Sequence, residues 1–326
     1  MKRKLTDKQK KILVCAKKHQ VKVTVIDEAA GVLELKKGNK KRYLSGFALS
    51  FNSKPGVALC KDKHVTKLIL NSAGINCPRG IRIGIKDDAV QALKKAKIKF
   101  PVAVKPIDGA KGVGVVVNVK DALGVNAALK EIRKIAQKQK SSFSGEAVIE
   151  EMFTGHDYRL LVLKGRVIAC CQRIPALVIG DGKRTIAQII KDFNAARPEA
   201  FQLIVDAEVR ARLKESKVSL KTVLIAGRAI QLRQVANISE GGVSLNLTGT
   251  VSQRFKQIAI KAVNELELVL GGVDLLANDI SSNNPKQPYT ILEVNGAPQY
   301  EINERPLAQG PVTDVTDIIF RNYMGI

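Results

Sequence analysis

Tryptophan is absent from the 326 residues, and aromatic residues make up only 4% of them. Proteins that grip single-stranded nucleic acid use aromatic platforms for the bases, so this composition argues against that class. Cysteine is sparse: Cys15, Cys60, Cys77, Cys170 and Cys171, an odd number with no Cys-x-x-Cys pair. That pattern fits reduced thiols in the cytoplasm better than a disulfide framework. Cys170 and Cys171 are adjacent in an expected strand, so they point to opposite faces. His19, His64 and His156 show no ligand spacing, which argues against a zinc site. No apolar run approaches the length of a membrane span; Lys164, Arg166 and Arg173 interrupt the best stretch. The apolar segment behind the basic N-terminus, 12–16, is too short for a secretory signal. Acidic residues are the last shortage: 30 against 54 lysines and arginines, a formal charge of +24. Such an excess suits nucleic acid, an anionic membrane or polyphosphate substrates. Here the cations are spread along the chain, densest at Lys2, Arg3, Lys4, Lys8, Lys10 and Lys11. A diffuse distribution favours a basic background, so neither a nucleic-acid nor a membrane partner is expected.

The apolar share is 45%, enough for a sizeable core in one large domain or two to three small ones. Residues 1–60 read as a small leading domain. It holds a helix over 8–19 and strands over 21–27 and 32–36, and a loop at 52–56 marks its end. A helix over 61–75 carries Lys67 on its polar side. Further helices are predicted over 87–97, 122–140, 186–193, 199–215, 251–270 and 315–323, with Thr185 as the cap of the third of these. Strands are predicted over 100–106, 115–119, 147–153, 157–163 and 166–173, and a strand pair over 222–225 and 229–233. The loop 237–242, polar and rich in glycine, is suited to hold an anion.

Two apolar strands, 272–277 and 289–298, flank a polar turn dense in Asn, Ser and Pro. Folded as a hairpin, they bring Asp274 beside Glu293 and Asn295. Glu293 and Asn295 are two residues apart and share a face. Two carboxylates and an amide oxygen form a hard-oxygen set suited to Mg²⁺ or Mn²⁺. The acids interrupt otherwise apolar strands, where an unpaired charge is expensive, so a metal site is favoured over a charged sheet edge.

Gly109, Gly112 and Gly114 follow a strand that ends with Lys105. A β-branched strand comes next, where a dinucleotide site would need a helix. A hairpin of this kind can close its backbone N–H groups over phosphates; an ordinary hairpin fits the text equally well. At Glu150, Glu151 and Phe153 an adenosine hinge and a surface hairpin are both open, and the pattern alone prefers the hairpin.

Taken in order, these segments resemble the ATP-grasp ligases, more narrowly the ATP-grasp module of cyanophycin synthetases and bifunctional glutathione synthetases. The resemblance rests on AVKP with its glycine loop (103–114), VIEE and GHDYRLLV (148–163), RIPA and IGDGKRTI (173–186), LR with ANIS (232–239), VDL (273–275) and LEVNGAP (292–298). It implies an α+β ATP-grasp fold, two α/β subdomains clasping ATP behind a small N-terminal domain, divided as 1–60, 61–146 and 147–326. It implies ATP and two Mg²⁺ or Mn²⁺ ions. By position, Lys67 and Lys105 match the phosphate-contacting lysines, and Gly109, Gly112 and Gly114 the mobile loop. Glu150, Glu151 and Phe153 fall at the adenine hinge, and Asp157 at the ribose acid. Asp274, Glu293 and Asn295 match the metal set. Arg173 and Arg233 resemble catalytic arginines on the transferred phosphate, and Arg159, Asn237 and Ser239 substrate contacts. The implied activity is an ATP-dependent carboxylate–amine ligation through an acyl phosphate, with amino acids or peptides as partners, in the cytoplasm. The alternatives are addition of amino acids to a protein tail, and a basic nucleic-acid-binding protein on a ligase-derived fold. A homo-oligomer stays open. The text departs from the family at Gln299-Tyr300-Glu301 and at 310–313, which lacks the expected arginine. Both changes bear on the acceptor substrate.

Overall fold

The computed structural model describes residues 7–45, 49, 51–107, 113–138 and 144–326. Helix α1 (Asp7–Lys18) precedes an antiparallel sheet of β1 (Lys22–Asp27), β2 (Val32–Lys37) and β3 (Lys40–Ser45). The third strand was not foreseen; Gly38, at φ +54°, makes the turn that leads into it. Helix α2 (Lys54–Lys61) replaces the loop expected at 52–56. Ser53 caps it by accepting the Gly56 N–H, and Pro55 sits in the first turn, where a missing N–H costs nothing. Asp62 then caps α3 (Lys63–Ser72).

Strand β4 (Gly80–Gly84), α4 (Ala89–Ala96), β5 (Val102–Pro106), β6 (Val116–Val119), α5 (Ala122–Lys138) and β7 (Glu146–Glu151) form the next unit. Its sheet runs β4-β7-β5-β6, antiparallel throughout. Ile83, Val102, Val104, Ala147 and Ile149 pack against α4 and α5. Strand alternation leaves Ala103, Lys105, Val148 and Glu150 on the opposite face. Because β7 belongs to this sheet, the change to the next one falls between Glu151 and His156, a few residues past the expected boundary at 146.

The third unit holds β8 (His156–Leu163), β9 (Arg166–Ile174), β10 (Leu177–Ile179), α6 (Ile186–Ala195), α7 (Ala207–Glu215), β11 (Ala229–Gln231) and β12 (Val243–Asn246). It ends with α8 (Gln253–Glu265), β13 (Leu270–Ala277), β14 (Tyr289–Asn295), β15 (Ala308–Gln309) and α9 (Val315–Met324). The six-stranded sheet runs β14-β13-β8-β9-β12-β15, parallel only at β12–β15. Thr185 caps α6 through a capping box with Gln188, as expected. The helix expected over 199–215 is a 3₁₀ turn, an extended link and α7, because Asp206 caps a new helix start. The strand pair expected over 222–225 and 229–233 does not form: β11 pairs with β10, and Val223 makes a single bridge to Thr185. The helix expected over 251–270 ends at Glu265, and Glu267, at φ +54°, turns the chain toward β13. Among the described residues no helix is long and apolar enough to cross a membrane.

One face of the large sheet packs Leu160, Val162, Cys170, Val273 and Leu275 under Phe255, Ala259 and Ala262 of α8. The other face offers Leu161, Leu163, Ala169 and Leu270 to α1, the N-terminal sheet and α9. The leading unit thus shares one core with the last helix. Buried Glu304 ties this joint: it accepts from Lys11 Nζ (2.6 Å), the Thr316 N–H (2.5 Å) and Thr316 Oγ1 (3.0 Å). Glu304→Ala removes an acceptor from the first turn of α9, which Asp314 caps, and leaves the buried Thr316 donors unpaired. A loss of about 2–3 kcal/mol is expected, read as a lower urea midpoint at unchanged slope.

Candidate active site

Past Leu161 the inner face of the large sheet turns polar. Asp274 lies opposite Glu293 on one side and opposite Arg159 on the other, and Asp157 lies opposite Arg173. Residues directly opposite share a face, so five charged side chains stand together. Arg159 binds both oxygens of Asp274 in a fork, with its Nη2 at 2.5 Å from Oδ2. Arg173 reaches Asp157 Oδ1 at 2.7 Å and Asp274 Oδ2 at 3.0 Å. Burial pushes the Asp274 carboxyl up, but Arg159 and Arg173 outweigh it and hold it at about 2. Asp157 is raised, first by burial and then by Asp274, against the pull of Arg173. Glu293 lies 3.8 Å from Arg159 with its side chain 36% exposed, and Asn295 Nδ2 donates to it at 3.2 Å. The hairpin inferred from sequence therefore brings Asp274, Glu293 and Asn295 together. Among the described residues no group of three or more His, Cys, Asp or Glu is placed to hold a metal ion; this set has two carboxylates and an amide.

The smaller sheet supplies the opposing charge. Glu150, 1% exposed, bonds Lys67 Nζ through Oε1 and Lys105 Nζ through Oε2, the latter at 2.9 Å. Burial pushes Glu150 up, yet the two ammoniums overcome it and hold the carboxyl at about 2. Burial lowers Lys67 more than Glu150 raises it. Lys105 moves the other way: burial opposes, but Glu150 and then Glu293 and Asp157 raise it. Two acids of the large sheet thus act on Lys105 of the smaller one.

Gly114 has φ +75°, and a Cβ there would meet Pro106 at 2.9 Å. Gly109 and Gly112 lie outside the described residues. Glu151 accepts the Lys99 N–H, and Phe153 is half-buried beside the strand change. Arg233 is not joined to the Asp274 row by its bonds; they run to Asp206, Glu208 and the Ile204 carbonyl. Asn237 caps a 3₁₀ turn by accepting from the N–H and hydroxyl of Ser239, so these two face each other. One residue was overlooked. The backbone N–H and Nζ of Lys63 both approach the Ile107 carbonyl, at 3.5 and 3.3 Å, at the foot of the glycine loop. Its signal was Asp62: an acid capping α3 puts Lys63 in the first turn.

A family model described as a RimK-like ATP-grasp domain matches residues 60–177 and 223–314. The chain belongs to the RimK-like ATP-grasp family. Cyanophycin synthetase of Trichormus variabilis is 29% identical over 277 residues, 82% of this chain and 30% of that protein. The glutathione biosynthesis bifunctional protein GshAB of Enterococcus faecalis is 29% identical over 300 residues, 88% of this chain and 38% of that protein. The chain therefore spans about a third of the length of these ATP-grasp relatives. The crystal structure of a bifunctional glutathione synthetase from Pasteurella multocida superposes with a TM-score of 0.69 at 22% identity. It covers 98% of this chain and 44% of that one, which shows the ATP-grasp fold. The family match skips 178–222, most of the unit built from β10, α6 and α7.

Proposed function

We propose that this chain joins a carboxylate to an amine as an amide, using ATP and releasing ADP and phosphate through an acyl phosphate. The observation that supports this reading is a pair of charged sets: Asp157, Arg159, Arg173, Asp274 and Glu293 on one face of the large sheet, and Glu150 of the smaller sheet bonded to Lys67 and Lys105. Lys105 and Lys63 hold the nucleotide phosphates, and Lys67 keeps Glu150 in place to orient Lys105. The backbone at Glu151–Phe153 meets the adenine, and Asp157 the ribose.

The donor set fits Mg²⁺ or Mn²⁺, because Asp274, Glu293 and Asn295 offer hard oxygens only and Glu293 is open to the cleft. A divalent ion held there would neutralise charge on the phosphates. In the first step the substrate carboxylate oxygen bonds to the γ-phosphorus as the bond to ADP breaks. In the second an amine nitrogen attacks the acyl carbon, phosphate leaves, and the amine loses a proton. Arg159 and Arg173, now forked onto Asp274 and Asp157, exchange these partners for substrate and phosphoryl oxygens. Such preorganised donors act strongly in a dry site.

The test is ADP release screened over a matrix of amino acids and dipeptides offered as carboxylate and as amine. Release that needs both partners, with an amide product by mass, is expected. AMP as product, or release indifferent to any carboxylate, would contradict the reading.

A further inference from the structure

Lys67 and Lys105 bond different oxygens of Glu150. Lys67 and Glu150, but not Lys105, line a cavity of about 210 Å³ between α3 and the start of β4. One stripe of α3 faces it, His64, Lys67, Leu68 and Asn71, at the three- and four-residue spacing of a helix face. Arg79 lines it from the other side. Leu68 is 56% exposed and leaves the cavity unfilled. Gly80 keeps the wall bare: a Cβ there would meet the Ile149 carbonyl at 2.7 Å and Glu150 Cγ at 2.9 Å.

The charges around this cavity do not balance. A single carboxylate, Glu150, serves two ammoniums, one per oxygen. Arg79 donates to the Ala96 carbonyl and has no carboxylate partner among the described residues. Lys67 is 5% exposed, and burial depresses its charged form in spite of Glu150. An anion entering here would meet a buried ammonium and a guanidinium fork whose geometry matches a carboxylate. The volume takes an acid of a few carbons.

We propose that the cavity is a regulatory site for a small carboxylate anion, and that filling it weakens the grip on the nucleotide. The coupling runs through Glu150. A carboxylate that draws Lys67 to itself leaves Glu150 compensated by Lys105 alone. Lys105 is then held more tightly by Glu150 and is less available to phosphate. The inference rests on the reading that Lys105 contacts the nucleotide.

The experiment is calorimetric titration of the full chain with ADP, in succinate and in chloride at equal ionic strength, with succinate also titrated alone. The dissociation constant for ADP should rise about fivefold or more in succinate, the low end of ordinary coupling. Succinate alone should give a saturable heat. Leu68→Trp, which fills the cavity from an exposed position, should bind ADP as the native chain does and lose both effects. Arg79→Ala should weaken succinate binding. Equal ADP affinity in both salts, or an unchanged shift in Leu68→Trp, would overturn the proposal. Absence of ADP binding in chloride would overturn the nucleotide reading and the coupling with it; saturable succinate heat without an ADP shift would overturn the coupling alone.

Discussion

Glu293→Ala is expected to slow ADP release by about 10²-fold or more while the protein keeps its unfolding midpoint. The two halves of that expectation have separate origins. Glu293 is more than a third exposed, and it accepts from the neighbouring Asn295 amide with Arg159 at 3.8 Å, so little packing is lost. Its place opposite Asp274, on strands otherwise apolar, suits a role in holding charge on the phosphates. Charge stabilisation of that kind contributes several kcal/mol in the transition state, and each 1.36 kcal/mol is about a decade in rate. Steady-state ADP release, paired with thermal unfolding of the same sample, reads both halves. Activity within about threefold of the native chain, at normal saturation with the magnesium salt of ATP, would remove Glu293 from the machinery.

Glu150→Gln is expected to destabilise the fold by about 3–5 kcal/mol at neutral pH, since it takes the shared carboxylate from the buried Lys67 and the partly buried Lys105. The pH dependence follows from the same triad. The folded carboxyl titrates at about 2, below its ordinary value of 4.5. A depressed carboxyl stabilises the fold above its unfolded value, and that contribution is lost as pH falls through 4.5 toward 2. The native chain should therefore lose stability across that window. The glutamine variant should lack this contribution, so the two curves converge toward acid. Urea unfolding at pH 7 and at a series of acid values checks this. Parallel curves would show that Glu150 is not what the lysines rely on.

The β13–β14 hairpin was legible because acids in an apolar strand carry a cost that only a partner offsets. Strand period then fixes which residues share a face. The cap at Thr185 was legible for a local reason too, a side chain answering an N–H three residues away. What escaped was decided over longer range. Pro55 and Gly56 read as a loop, yet Asn52 anchors the segment by bonding the backbone at Val269, Leu270 and Gly296, and the helix forms against that anchor. Lys63 and Lys67 lie one turn apart on the same helix, so periodicity cannot say which turns toward β7. Burial decides: Lys67 is drawn under β7 by Glu150, and Lys63 reaches the Ile107 carbonyl. Arg233 was read for its charge, while its partners Asp206 and Glu208 sit on a segment expected to be one unbroken helix. The Asp206 cap that splits that helix is also what brings the two acids to Arg233.

The central claim is a chemical one: a substrate carboxylate takes phosphate from ATP before it meets the amine. With a carboxylate substrate enriched in heavy oxygen, mass spectrometry of the released phosphate tests this directly. One labelled oxygen in each phosphate for every amide formed, with ADP as the other product, is the predicted result. Unlabelled phosphate beside a fully formed amide would contradict it.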